Sequence, residues 1–288
     1  MNRIFSLMVL MIICLVSAEA FAGFFDELQK FTNPDSKEGK ILSGATQVMS
    51  SSKEMDYQTE RTIGESLALE GLQRFGKPVG NEPLQQYLNL VGNAVAKNSQ
   101  RSTIPYQFAV LDSGVRNAFA VPGGVIFVSK ALLSVIDNEA ELAAVLAHEV
   151  GHVAKKHAIK SIQRAQFLQG VGAITAASMK GDSGKKFASM IGDLQTVLFD
   201  KGLDKEMEFE ADAVAMETTY RTGYDPSAMI SVLEKLKKLE NSSEKKGSWY
   251  STHPPLDERI ARLKEQLTKY PDYRSLALVH DRFAHKVK

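Results

Sequence analysis

The sequence predicts an α+β protein that is mostly helical, with a small sheet beside a buried central helix. Three observations carry this. Apolar residues recur at helical spacing over most of the chain, whereas only two short segments, 106–112 and 125–128, read as strands. One helical stretch, 138–157, is apolar nearly all round and so belongs in the middle of the molecule. The 288 residues are 44% apolar and 24% charged, which is ordinary globular usage and enough chain for a sizeable core.

The elements follow in order. Residues 1–22 read as a secretory signal peptide, with Arg3 in the n-region, an apolar run from Ile4 to Val16, and Ala20-Phe21-Ala22 as a small-x-small cleavage site. The run is short for a membrane span, so an uncleaved anchor is the lesser alternative. Its removal takes away Cys14, the single cysteine of the chain. Residues 23–53 read as an N-terminal arm with a turn at Asn33-Pro34-Asp35-Ser36. The domain proper is expected over 54–270, followed by a polar C-terminal tail at 271–288.

A helix is expected from Glu54 to Phe75, closed by Gly76 and Pro78, with Ile63, Leu67 and Leu72 on one side. Asn81 caps a second helix, whose Leu84, Leu88, Val91 and Val95 share a face. Tyr106, Phe108 and Val110 alternate as a strand. Pro122-Gly123-Gly124 makes a turn into a second strand, Val125 to Val128. Asn138, with Glu141 three residues on, opens the central helix, which runs to about His157. A Gly/Ala-rich helix at 167–179, a break at 181–184, and helices at 206–221, from Asp225-Pro226 to Leu239, and from Pro255 to Thr268 complete the pattern.

The net charge of +1 gives no reason to expect nucleic acid or an anionic membrane as partner. Chemistry is concentrated elsewhere, in His148-Glu149-Val150-Gly151-His152. At about 100° per residue the two histidines lie about 40° apart, one turn separated on one helix face. Both imidazoles can then reach one tetrahedral Zn²⁺, with Glu149 placed to hold and deprotonate a metal-bound water. Two core histidines beside a buried glutamate would leave a carboxylate without a cation, which is costly.

A catalytic zinc needs a third protein ligand. Glu208, with Asp212 one turn on and Ala215 on the same face, is the candidate: Glu208 as ligand, Asp212 as acceptor for a ligating histidine's free N–H. Glu206, Glu210 and Glu217 lie on other sides and are expected to be solvated. His157 falls about 140° around from His152 on a continuous helix and is expected at the surface or helix end. His280 and His285 are expected in solvent. Gly151 in mid-helix signals a close neighbour. Trp249 is expected to pack as a loop aromatic on the domain surface.

Four local patterns together resemble one family, the HtpX-like and prenyl-protease-like zinc metallopeptidases, in their soluble periplasmic, BepA-like branch. They are the His-Glu-x-x-His core, the Glu208-x-x-x-Asp212 pair 56 residues beyond His152, Asn117-Ala118-Phe119-Ala120-Val121-Pro122-Gly123-Gly124 before it, and Thr252-His253-Pro254-Pro255 after it. The resemblance spans about Glu54 to Leu267. It implies a zincin-like domain with a small sheet above the active-site helix and a single Zn²⁺. It also implies an endopeptidase of the cell envelope acting on unfolded or misassembled polypeptides, with outer-membrane assembly machinery as a further partner. The integral members' multi-helix membrane region and the helical-repeat module of other members have no counterpart in the pattern. An assembly factor or holdase with a structural or latent zinc is the rival reading.

The family further implies that His253 lies near the metal, either stabilising the oxyanion or occupying the open site in a resting form. Asn117 is expected to support the cleft or donate to substrate, and Gly123 and Gly124 to allow close backbone approach. Val125 and Phe127 belong to a strand that an extended substrate could join by main-chain hydrogen bonds, the alternative being a plain internal strand.

Overall fold

The computed structural model describes residues 55–168, 191–239, 248–253 and 255–287. The expected signal peptide with Cys14, the arm at 23–53, nearly all of the 167–179 helix, the 181–184 break and residues 241–247 of the polar loop lie outside them.

The first helix, α1 (Tyr57–Phe75), starts where the Asp56 carboxylate accepts from Thr59 N–H at 3.0 Å and stops at Gly76, φ 113°. Asn81 caps α2 (Glu82–Lys97) by accepting from Leu84 N–H at 3.1 Å, as its sequence predicts. Three strands follow: β1 (Gln107–Leu111), β2 (Ala118–Val121) and β3 (Val125–Ser129). β2 is the strand that periodicity missed. Its four residues, Ala-Phe-Ala-Val, are too few to show a period of two.

The sheet order is β1-β3-β2, with β1 parallel and β2 antiparallel to β3. β3 is therefore central and hydrogen-bonded on both sides. The outer edge of β1 is also closed, by side chains of α2. Gln85 donates to Val110 C=O at 3.1 Å and accepts from Val110 N–H at 2.9 Å. Asn89, one turn on, makes the same pair with Phe108 at 2.7 and 3.1 Å. Two amides at i and i+4 thus stand in for a neighbouring strand.

Successive strand residues alternate between two cores. Phe108, Val110, Ala118, Ile126 and Val128 face α2 and the central helix, whereas Ala109, Leu111, Phe119, Val121 and Phe127 face α1 and Phe199. Both faces are dry, so the strands carry near-continuous apolar runs.

After the short α3 (Lys130–Leu133) comes the central helix α4 (Glu139–Ala154), buried from Glu139 to Val153. Asn138 accepts from Glu141 N–H at 3.0 Å. The helix does not run on to His157 as expected. It ends at Ala154; Lys156 takes a left-handed φ of 56°, and α5 (His157–Leu168) starts in a new direction. A single π-helical turn, Val197–Lys201, precedes α6 (Lys205–Arg221), which crosses α4 closely. A Cβ at Gly151 would sit 3.3 Å from Ala211 C=O, so the neighbour that Gly151 announced is α6.

α7 (Ala228–Leu239), α8 (Trp249–Thr252) and α9 (Leu256–Gln266) complete the wall behind α4. The C-terminal stretch is docked rather than a free polar tail. Glu139 N–H donates to Val279 C=O at 3.2 Å, and α10 (His280–Val287) buries Phe283 completely. His280 and His285 are exposed, as expected. Among the described residues no helix is long and apolar enough to cross a membrane.

Candidate metal centre

The helical spacing of His148 and His152 on α4 turns both Nε2 atoms to one point, 2.9 Å apart. α6 brings Glu208 to the same point: its Oε2 is 3.4 Å from His148 Nε2 and its Oε1 3.6 Å from His152 Nε2. Asp212, one turn along, reaches behind His148 to Nδ1 at 2.9 Å. This holds the imidazole with Nε2 free to ligate. His253, just past α8, adds a fourth donor, and ligand atoms of His148, His152, Glu208 and His253 all lie within 4.8 Å of one another. His253 Nε2 is also 3.5 Å from Glu149 Oε1.

The donors fit a zinc ion. Two imidazoles and a carboxylate are a zinc set, with His253 at the remaining position. Both Glu208 oxygens and Glu149 Oε1 are buried without a hydrogen-bond partner, which leaves their lone pairs for something outside the chain. Glu149, Glu208 and Asp212 put three buried carboxylates beside one buried guanidinium, Arg259, so the cluster favours a further cation.

Titration follows the same electrostatics. Burial pushes Glu149 up to about 7, reinforced by Glu208 and opposed by His148, Arg259 and a hydrogen bond from the Ala120 backbone. Burial and Arg259 press His148 down, but the Asp212 and Glu208 carboxylates outweigh them and raise it to about 9. Burial opposes the charge on Asp212 too, yet Arg259 and His148 hold it at about 2. His152 and His253 are lowered, first by burial and then by positive neighbours.

Three contributors escaped the sequence reading. Arg259 on α9 is fully buried and clamps Asp212 through Nε and Nη2, both at 2.7 Å. Its Nη1 donates to His253 C=O at 2.7 Å and lies 3.2 Å from Glu208 Oε2. Its signal was an arginine in the apolar stripe Leu256, Ile260, Leu263. Trp249 is not a surface aromatic. It is fully buried and stacks on His253, with centroids 4.4 Å apart and planes at 18°. His157 is not at the surface either. It is fully buried against His152, and Glu210, expected in solvent, contacts it.

A cavity opens on Glu149, His152 and His253, walled by Phe119, Ala120 and Leu198. Asn117, Gly123, Gly124, Val125 and Phe127 do not line it. The backbone N–H of Asn117 donates to Ser129 Oγ at 3.0 Å at the start of β2, while its side-chain amide is buried with neither polar atom hydrogen-bonded. Gly123 and Gly124 have φ of 84° and 103°. A Cβ there would meet Arg61 Cα or Pro105 C=O at 2.7 Å, so packing of the turn explains both. Gly123 and Val125 border a separate, smaller cavity by Tyr57. An extended chain cannot join β3, because both of its edges are already paired.

The sequence profile of peptidase family M48 matches residues 82–267, which takes in both metal-binding helices and His253. The chain belongs to this family. M48 peptidases use zinc, in agreement with the donor cluster. Among curated M48 relatives, the beta-barrel assembly-enhancing protease of Yersinia pestis is 33% identical over 65% of this chain and 40% of its own length. Metalloprotease LoiP of Escherichia coli is 30% identical over 65% of this chain and 72% of its own. The mitochondrial metalloendopeptidase OMA1 of Schizosaccharomyces pombe is 29% identical over 64% of this chain and 53% of its own. The chain thus spans about 40% of the length of the first of these M48 relatives.

Proposed function

We propose that the protein is a zinc endopeptidase of the cell envelope that hydrolyses unfolded or misassembled polypeptides. The observation that carries this is the convergence of His148, His152 and Glu208 around Glu149, at the end of a cavity. Bound zinc supplies Lewis acidity toward the peptide carbonyl and a water. Glu149, beside the donor cluster, takes the proton from the attacking water and delivers it to the leaving amine nitrogen. Asp212 keeps His148 in the ligating tautomer, and Arg259 keeps Asp212 in place.

The outer edge of β2 supports the way substrate is held. Among the described residues, β3 is paired on both sides and β1 is closed by Gln85 and Asn89, which leaves the outer edge of β2 without a strand partner. Its Phe119, Ala120 and Val121 line the cavity beside Glu149. An extended polypeptide pairing with β2 would be gripped through its backbone, which suits unfolded chains of many sequences. His253, fixed by Trp249 and Arg259 at the fourth donor position, supports a resting form in which it must withdraw before substrate enters.

The periplasmic assignment rests on the signal-like pattern of residues 1–22, and the name of the Yersinia pestis relative, a beta-barrel assembly-enhancing protease, makes β-barrel assembly clients the first substrates to try. The decisive experiment pairs zinc content with cleavage of a casein-type unfolded substrate in wild type and Glu149→Gln. The variant should keep its zinc and lose cleavage; full cleavage would remove Glu149 from the mechanism. A purely assembly-promoting role predicts instead that Glu149→Gln complements an envelope-assembly defect.

A further inference from the structure

We infer that His157 is a positioning residue for the metal: it orients His152 through a His152–His157–Glu210 relay, as Asp212 and Arg259 orient His148. The inference takes His152 as a zinc ligand through Nε2, the atom that faces His148 Nε2 at 2.9 Å and Glu208 Oε1 at 3.6 Å.

With Nε2 committed to the metal, the proton of neutral His152 sits on Nδ1. That atom is 2.9 Å from Nδ1 of His157. One of two facing nitrogens must donate and the other accept, so His157 Nδ1 carries the lone pair. Its own proton is then on Nε2, which lies 3.1 Å from Glu210 Oε2. Every atom in the relay has one assignment once the metal is placed. Glu210 is in turn held by Lys155 Nζ, 2.8 Å from its other oxygen.

The backbone is built for this contact. On a continuous helix His157 would point about 140° away from His152. The left-handed Lys156, φ 56°, breaks α4 and returns His157 as the first residue of α5, where it is fully buried. A lysine rarely adopts that conformation without something holding it there. The two ligating histidines therefore have unequal supports: a clamped carboxylate in the core for His148, and a second imidazole tied to a half-exposed glutamate for His152.

The test is zinc affinity by chelator competition, with the visible spectrum of the cobalt(II)-substituted protein and circular dichroism of the metal-free form. Phenylalanine fills the space of His157 but removes both hydrogen bonds, so His157→Phe should bind zinc about 10- to 100-fold more weakly and shift the cobalt bands. His157→Gln can accept from His152 and donate to Glu210, and should recover most of the affinity. If His157→Phe does not fold, Glu210→Gln, at a half-exposed site, carries the test with a smaller loss of affinity in the same direction. Wild-type affinity and an unchanged cobalt spectrum in folded His157→Phe would overturn the relay. So would a glutamine variant no better than phenylalanine, which would reduce His157 to packing. A wild-type protein that took up no zinc would break the ligand assignment itself, and an inactive but zinc-loaded one would break only the peptidase reading.

Discussion

The two ends of α4 treat a buried glutamate in opposite ways. At the N-terminal end, Glu139 is saturated. It accepts from Tyr87 Oη at 2.7 Å, Tyr224 Oη at 2.5 Å and Arg282 Nε at 2.6 Å. At the C-terminal end, Glu149 Oε1 has no hydrogen-bond partner, and neither do the oxygens of Glu208, which α6 brings alongside. Burial pushes the Glu139 and Glu149 carboxyls up. The bonds at Glu139 more than reverse it and hold that group below its ordinary 4.5, whereas Glu149 stays at about 7. The same residue type on one helix thus becomes an anchor where every lone pair is used, and a proton carrier where one is left open.

The comparison breaks most visibly at the open end. Glu149→Gln should reduce peptide hydrolysis by about 10²–10⁴-fold with zinc stoichiometry unchanged, read by paired metal and protease assays. Glu208→Ala should lose most of the bound zinc in a metal assay; unchanged stoichiometry would move the third ligand elsewhere. Arg259→Leu leaves Asp212 buried and uncompensated, and should destabilise the fold by about 3–5 kcal/mol in denaturant unfolding. A well-folded Arg259→Leu protein with full zinc affinity would mean that Asp212 does not need its clamp.

The saturated end gives the smallest effect and the sharpest contrast. Glu139→Gln should cost about 1–3 kcal/mol of stability and leave zinc binding untouched. Its pH dependence has a fixed sign. The folded-state pKa of Glu139 lies below the unfolded value, so its contribution is complete above about pH 4.5 and is lost as pH falls through the folded value. The stability difference between wild type and Glu139→Gln should therefore be flat at neutral pH and shrink under acid. A difference that grew under acid would contradict the anchor role.

What could be read from the chain was what local spacing encodes. His148 with His152 and Glu208 with Asp212 are i, i+4 pairs, and an α-helix places such pairs on one face wherever it sits. The capping roles of Asn81 and Asn138 and the close neighbour at Gly151 were legible for the same reason, since each depends on a few adjacent residues. The expectation for His157 failed because it extended that rule across a left-handed residue. One φ of 56° at Lys156 changed a surface histidine into a buried partner of a ligand.

The sequence by itself determined the metal chemistry, the family and the helical frame, because these rest on short-range periodicity and side-chain type. Only the tertiary structure decided what surrounds the metal. Arg259 comes from 47 residues beyond Asp212, and Trp249 reaches a histidine on another helix. Among the described residues the strand with no strand or side-chain amide pair along its outer edge is β2 rather than β3, because Gln85 and Asn89 close one edge of the sheet and β1 and β2 flank its middle. Contacts between distant segments depend on how whole elements pack against one another, and no local pattern in the chain records that packing.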